Sequence, residues 1–291
     1  VDEGQRVYVN EISILGNTRT VDKVIRREIS LSEGDAYNKY SINYSKDSIR
    51  ALNFFSKVDI GENRTEFPDK LDLVIEVEEK NTGEASLGAG YSSSANASLN
   101  LGLKERNFLG KGQKVNFTSS FSNTRNTYDV SITEPYFNNK PLSLTGLIYS
   151  SFTDPASVNY ETEDIGLGLN ARFPISNDIF FEGRYSLFTA KVKADSNATD
   201  YENLLAGTDT NSMIGYSLFL DKRDSRYKPS KGYSFEVNQD IAGLGGTTYY
   251  LKNNIDYSIY KRINKNFIGS LKFQAGTLNG FNSEYAPLSS N

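Results

Sequence analysis

The chain has 291 residues, with 32 Lys and Arg against 36 Asp and Glu and a formal net charge of −4 at pH 7, a balance that argues against a general nucleic-acid binder. It contains neither histidine nor cysteine. Ser-His-Asp triads, Cys-His dyads, histidine metal sites, thiol chemistry and a disulfide framework are all removed by that composition.

No run approaches the ~18 apolar residues of a transmembrane helix, and no signal peptide is visible, since residue 1 opens straight onto a strand-like run. The aromatic residues are 19 Tyr and 17 Phe with no Trp, a bias toward β-structure and, at a membrane, toward an interfacial belt. Paired carboxylates such as Asp221 and Asp224 could serve acid–base chemistry, but nothing places them in a closed pocket. No catalytic residue, metal ligand or cofactor is assigned, and the chain is read as a non-enzyme.

Residues 1–80 read as a small α+β domain of order β-α-α-β-β. In "RVYVNEISILGN", Val7, Val9, Ile12 and Ile14 alternate with polar neighbours, the register skipping once near Asn10 and Glu11, and Gly16-Asn17 is a turn signal. Val21, Val24, Ile25 and Ile29 then recur on one face of a helix, with Thr20 as N-cap and Gly34 as terminator. Ile42, Ser45, Ile49 and Leu52 mark a second amphipathic helix running into "NFFSKVDI". "LDLVIEVEEK" is an alternating strand, and residues 81–84 form a hinge at Asn81, Thr82 and Gly83.

From residue 85 the helical period vanishes. Eleven alternating segments follow, near 84–92, 96–106, 113–122, 126–134, 142–152, 159–173, 178–192, 211–222, 232–242, 247–261 and 266–277. Alternation of this sort fits a soluble sandwich, whose apolar face meets a core, or a membrane barrel, whose apolar face meets lipid. Length favours the barrel, since spanning strands need ~9–11 residues and soluble ones are commonly five or six. The opposite face, including Asn100, Asn116, Asp129, Arg184 and Asp256, is too polar for a core and suits a wet lumen. Eleven strands with "SEYAPLSSN" opening another outer loop predict the front part of a longer barrel, because a bacterial barrel closes on an even count.

The motifs "VDKVIRREISLSEGD", "LNFFSKVDI", "LDLVIEVEEKNTGEASLGAGYS", "NFLGKGQKV", "ITEPYF" and "DKRDSRYKPSKGY", in this order, resemble the BamA family over essentially the whole chain. The resemblance implies the last of several periplasmic POTRA domains, followed by about 11 strands of a 16-stranded outer-membrane barrel in a Gram-negative cell. It implies insertion of nascent outer-membrane proteins, with accessory lipoproteins docking on this POTRA domain, here at Arg26, Arg27 and Glu28, whose place between core-facing positions predicts exposure. Periplasmic chaperones and outer-membrane lipid are further partners it suggests. The arginine-glycine-phenylalanine motif of the family's long outer loop lies beyond this chain.

The first barrel strand, "ASLGAGYS", is built from weak strand formers. Ala85, Leu87, Gly88, Ala89, Gly90, Tyr91 and Ser92, continued by Ser93 and Ser94, offer little side chain for cross-strand pairing. With the resemblance, this strand is expected to be one side of a lateral seam whose backbone templates an incoming strand. Small residues also occur where a strand bends or a lumen is crowded. The alternative function is a two-partner secretion transporter, which would thread its client through the lumen instead.

Overall fold

The computed structural model describes residues 6–92, 96–155, 157–226 and 228–281; Ser93, Ser94 and the 283–291 stretch fall outside them. The chain divides into two compact units, residues 1–84 with 104–115, and residues 85–103 with 116–291. The first unit takes in a segment distant in sequence. The first inner turn after strand two packs with the small domain.

In the first unit, β1 (Tyr8–Leu15), β2 (Phe55–Arg64) and β3 (Lys70–Glu79) form a sheet of order β1-β3-β2. β1 runs parallel to β3, and a bulge falls between Val9 and Ile12, where the alternation skips in the sequence. α1 (Asp22–Arg26) and α2 (Lys39–Ala51) supply the rest of the core. Val24, Ile25, Ile42 and Ile49 pack with Val9, Ile12, Leu73 and Ile75, joining one apolar helix stripe to one sheet face. Asn38 caps α2, its side chain accepting from the Tyr40 N–H.

α1 corrects one expectation. It spans five residues, its N-cap position is Val21 with no side-chain cap, and Thr20 is buried. The Thr20 amide donates to Glu79 Oε1 at 2.6 Å and its hydroxyl accepts from Asn107 Nδ2 at 2.8 Å. Long-range partners therefore take the atoms a cap would use. Gly34, at φ +94°, ends no helix. It turns the chain so that its N–H reaches the Val9 carbonyl at 2.7 Å.

The second sheet has eleven strands in sequential order. They are β4 (Gly83–Ser92), β5 (Asn96–Phe108), β6 (Gln113–Ser122), β7 (Arg125–Glu134), β8 (Ser143–Thr153), β9 (Tyr160–Pro174), β10 (Ile179–Ala194), β11 (Gly207–Asp221), β12 (Gly232–Ala242), β13 (Tyr250–Arg262) and β14 (Ile268–Gly280). From β7 to β14 every neighbour pair is antiparallel. Among the described residues no helix is long and apolar enough to cross a membrane. The spanning structure is the sheet, whose strands of 10 to 16 residues match a bilayer crossing. Its large apolar residues on one face, such as Ile148, Ile165, Leu169, Ile214 and Phe273, are exposed, as lipid-facing positions are. One short helix, α3 (Asp200–Leu205), interrupts the long loop between β10 and β11.

Candidate functional site

β4 ends the sheet, with β5 as its one neighbour among the described residues. All ten of its residues are exposed, Leu87 at 73 % and Tyr91 at 80 %. Its polar face carries Ser86, Gly88 and Gly90. A Cβ added at Gly88 would lie 3.8 Å from the Asn100 Cβ, and one at Gly90 would lie 3.1 Å from Ser98 Oγ. Gly102 opposite admits Ser86, whose Oγ would lie 2.5 Å from an added Cβ. Period-two alternation sends Ala85, Leu87, Ala89 and Tyr91 to the apolar face. The result is a hollow of about 360 Å³ lined by Ser86, Gly88, Asn100, Gly102, Thr118 and Ser119. The seven sequence-predicted residues thus lie on one strand of the sheet.

The wall of β10–β12 is built the opposite way. Arg184 on β10 reaches over Gly215 on β11 to Asp240 on β12, with Nε–Oδ1 at 2.6 Å, and also donates to Ser217 at 2.5 Å. A Cβ at Gly215 would stand 2.0 Å from Asp240 Oδ1, so this glycine is what lets the ion pair cross the strand. Ser217 in turn bonds Asn238. Three strands are held by one side-chain network.

In the first unit, Glu79 closes β3 against the loop before α1. Its carboxylate accepts from the Thr18 hydroxyl at 2.9 Å, the Arg19 N–H at 3.0 Å and the Thr20 N–H at 2.6 Å. Burial pushes the carboxyl up, but the donors of Thr20, Thr18 and Arg19 outweigh it and bring the pKa to about 2. The turn 107–112 is pinned to the same loop. Val21 N–H donates to the Gly110 carbonyl at 3.0 Å, Asn107 accepts from Gly112 N–H at 2.8 Å, and a Cβ at Gly110 would meet the Arg19 carbonyl oxygen at 1.9 Å. Sequence reading gave neither Glu79 nor Asn107 a role, because each acts across more than fifty residues.

The triplet Arg26, Arg27 and Glu28 does not present one exposed face. Arg26 is exposed and pairs with Glu33 at 3.3 Å. Arg27 and Glu28 are half-buried, paired with each other at 3.5 Å, and the Arg27 guanidinium lies against Gly112. The expectation of exposure fails for these two: Arg27 packs against Gly112 of the 107–112 turn, and Glu28 pairs with Arg27. Of the expected hinge, Asn81 and Thr82 lie between β3 and β4 while Gly83 opens β4, and Thr82 is tied down: its hydroxyl donates to Glu105, and its carbonyl accepts from Arg106 N–H at 3.4 Å.

In the second unit, the basic turn after β11 spends its charge internally. Arg223 forks onto Asp221 at 2.7 and 2.9 Å, with Arg226 3.3 Å away. Asp224 accepts from Ser230 and from Lys231 N–H, and these bonds bring its pKa to about 2.

Residues 107–291 match the Omp85 superfamily domain, and residues 7–80 match the POTRA model described as a surface antigen variable number repeat. The chain is 28 % identical over 269 residues to the outer membrane protein assembly factor BamA of Nitratidesulfovibrio vulgaris, covering 91 % of this chain and 34 % of that one. It is 30 % identical to the BamA of Neorickettsia risticii, covering 96 % and 38 %, and 25 % identical to the human sorting and assembly machinery component 50 homolog, covering 95 % and 60 %. The chain therefore spans about a third of the length of these BamA relatives. Among solved structures it superposes on BamA from Haemophilus ducreyi lacking POTRA domains 1–3 with a TM-score of 0.84 at 22 % identity, covering 99 % of this chain and 58 % of that one. CdiB from Escherichia coli gives 0.62 at 11 % identity, covering 94 % and 55 %. A POTRA domain followed by an eleven-stranded apolar-outward sheet, with a family match over most of the chain, makes this a member of the Omp85 superfamily with BamA relatives.

Proposed function

We propose that the protein carrying this chain folds and inserts nascent barrel proteins into the outer membrane, with β4 as the template edge. The barrel lies in the outer membrane and the POTRA domain in the periplasm. The observation that supports the reading is β4 itself, whose polar face is built from Ser86, Gly88 and Gly90 and so offers its neighbour little side chain to grip. In hydrocarbon an unpaired strand edge costs several kcal/mol per unsatisfied group, so an arriving strand gains hydrogen bonds that only pairing can supply. The chemistry is hydrogen-bond exchange, and no covalent step is required.

Clients are unfolded outer-membrane proteins, delivered by periplasmic chaperones. Accessory lipoproteins dock on the POTRA surface around Arg26, the one exposed member of its triplet. The test uses the full-length protein with Gly90→Cys or with the polar-face Asn116→Cys, and a stalled client bearing one cysteine in its last strand. Capture at Gly90→Cys alone is the expected result. Capture only at Asn116→Cys would replace templating by threading, the behaviour of a secretion transporter.

A further inference from the structure

The outward face of the last three strands is interrupted by a row of amides. Strand register puts Tyr233, Phe235, Val237, Gln239 and Ile241 of β12 on the lipid side, with Leu251, Asn253, Ile255, Tyr257 and Ile259 of β13 and Leu271, Phe273, Ala275 and Thr277 of β14. Within this face Gln239 pairs with Asn253 and Asn253 with Thr277. Their side chains bond in series: Gln239 Nε2 donates to Asn253 Oδ1 at 2.7 Å, and Asn253 Nδ2 donates to Thr277 Oγ1 at 3.2 Å. The row crosses three strands in a face otherwise made mainly of apolar and aromatic residues, with Asn279 one step further out on β14.

Two amides and a hydroxyl carry five polar hydrogens, and the two bonds use two of them. One N–H on Gln239, one on Asn253 and the Thr277 O–H remain, all on a face where lipid, not water, is the solvent. An uncompensated amide there costs a few kcal/mol. Spare acceptor capacity remains too, chiefly on Gln239 Oε1, but an unmet N–H is the rarer and costlier orphan, so a partner that supplies acceptors gains most. The row carries no charge, so a neutral acceptor suits it better than a phosphate does.

Depth selects among neutral acceptors. Gln239 follows the first residue of β12 by seven positions, and Thr277 follows that of β14 by nine. At about 3.3 Å per residue and a tilt near 40°, the row stands roughly 18 to 23 Å above the periplasmic ends of its strands. The apolar band of such barrels is about 25 Å tall. The row therefore meets the outer end of the hydrocarbon, where acyl chains join their linkage groups.

We propose that Gln239, Asn253 and Thr277 form a site for the acyl ester carbonyls of an outer-leaflet lipid, which holds one lipid against β12–β14. This rests on reading β4–β14 as membrane-spanning and is independent of the templating role of β4.

The test takes the delipidated full-length protein and offers equal amounts of one phosphatidylcholine in its ester-linked and its ether-linked form. The ether form keeps the headgroup and chains but lacks both carbonyls. Retained lipid is counted by native mass spectrometry. The wild type is expected to hold the ester form about fivefold more strongly, and Gln239→Leu with Asn253→Leu to lose the preference. Should that pair fail to fold, Thr277→Val, which removes one donor at nearly constant volume, is expected to reduce it. Equal retention of both lipids by the wild type would overturn the proposal, as would an undiminished preference in the variants; headgroup binding or a protein partner on this face would give the first result.

Discussion

Glu79 shows how much one side chain can hold. Three donors from Thr18, Arg19 and Thr20 converge on a carboxylate whose side chain is only 7 % exposed, and its pKa falls to about 2. A carboxyl depressed in the folded state contributes stability that is fully present above its unfolded value near 4.5 and is lost as pH falls from there toward 2. Glu79→Gln should lower the stability of the POTRA unit by about 2–3 kcal/mol at pH 7 and flatten its acid dependence between about pH 4.5 and 2. Amide exchange of β3 in the full chain, followed against pH, measures both effects. Gly215 makes the complementary point in the barrel wall. Gly215→Ala should push Asp240 off Arg184 and leave two polar-face charges without their partner. The expected loss is about 1–3 kcal/mol, read as a lower thermal transition, and removing the charges as well with Arg184→Gln and Asp240→Asn should recover part of it.

At the scale of elements, alternation carried most of the structure. Strands β4 to β14 lie within a few residues of the eleven alternating segments, because a sheet wet on one face and apolar on the other imposes period two on every strand. The bulge in β1 was legible for the same reason, as a single skip in that period. α1 was read too long, since Thr20 and Gly34 carry the residue types of a cap and a stop while serving the Glu79 latch and a turn. α3 was missed although its signal was present: Thr199 and Glu202 form a capping box, Thr199 Oγ1 accepting from Glu202 N–H and the Glu202 carboxylate accepting from Thr199 N–H at 2.8 Å. The backbone N–H of Asn159, then the N–H and hydroxyl of Thr199, bring the Glu202 pKa to about 2. Thr199→Ala should fray this six-residue helix, costing about 1 kcal/mol locally, and raise amide exchange over 200–206 about fivefold with the strands unchanged.

On the scale of the molecule, two parts of the barrel wall differ in how many side-chain bonds cross their strands. β10–β12 are cross-linked by Arg184, Asp240, Ser217 and Asn238, whereas β4 presents Ser86, Gly88 and Gly90 to a shallow hollow. Amides of β4 should therefore exchange with solvent at least tenfold faster than those of β10. The Gly and Ser content of β4 was readable as composition. The sequence pattern could not reveal that residues 104–115 pack with the POTRA unit, since that depends on Asn107 and Gly110 meeting a loop far away in the chain. The same distance hid the half-burial of Arg27 and Glu28. Whether β4 serves as a template is tested most directly by the register of capture. In the full-length protein, Leu87→Cys and Tyr91→Cys are each offered a stalled client carrying a single cysteine at successive positions of its last strand. Templating predicts that moving the β4 cysteine by four residues moves the preferred client position by four in one fixed sense. Capture of the same client position from both sites, or of every position equally, would contradict it.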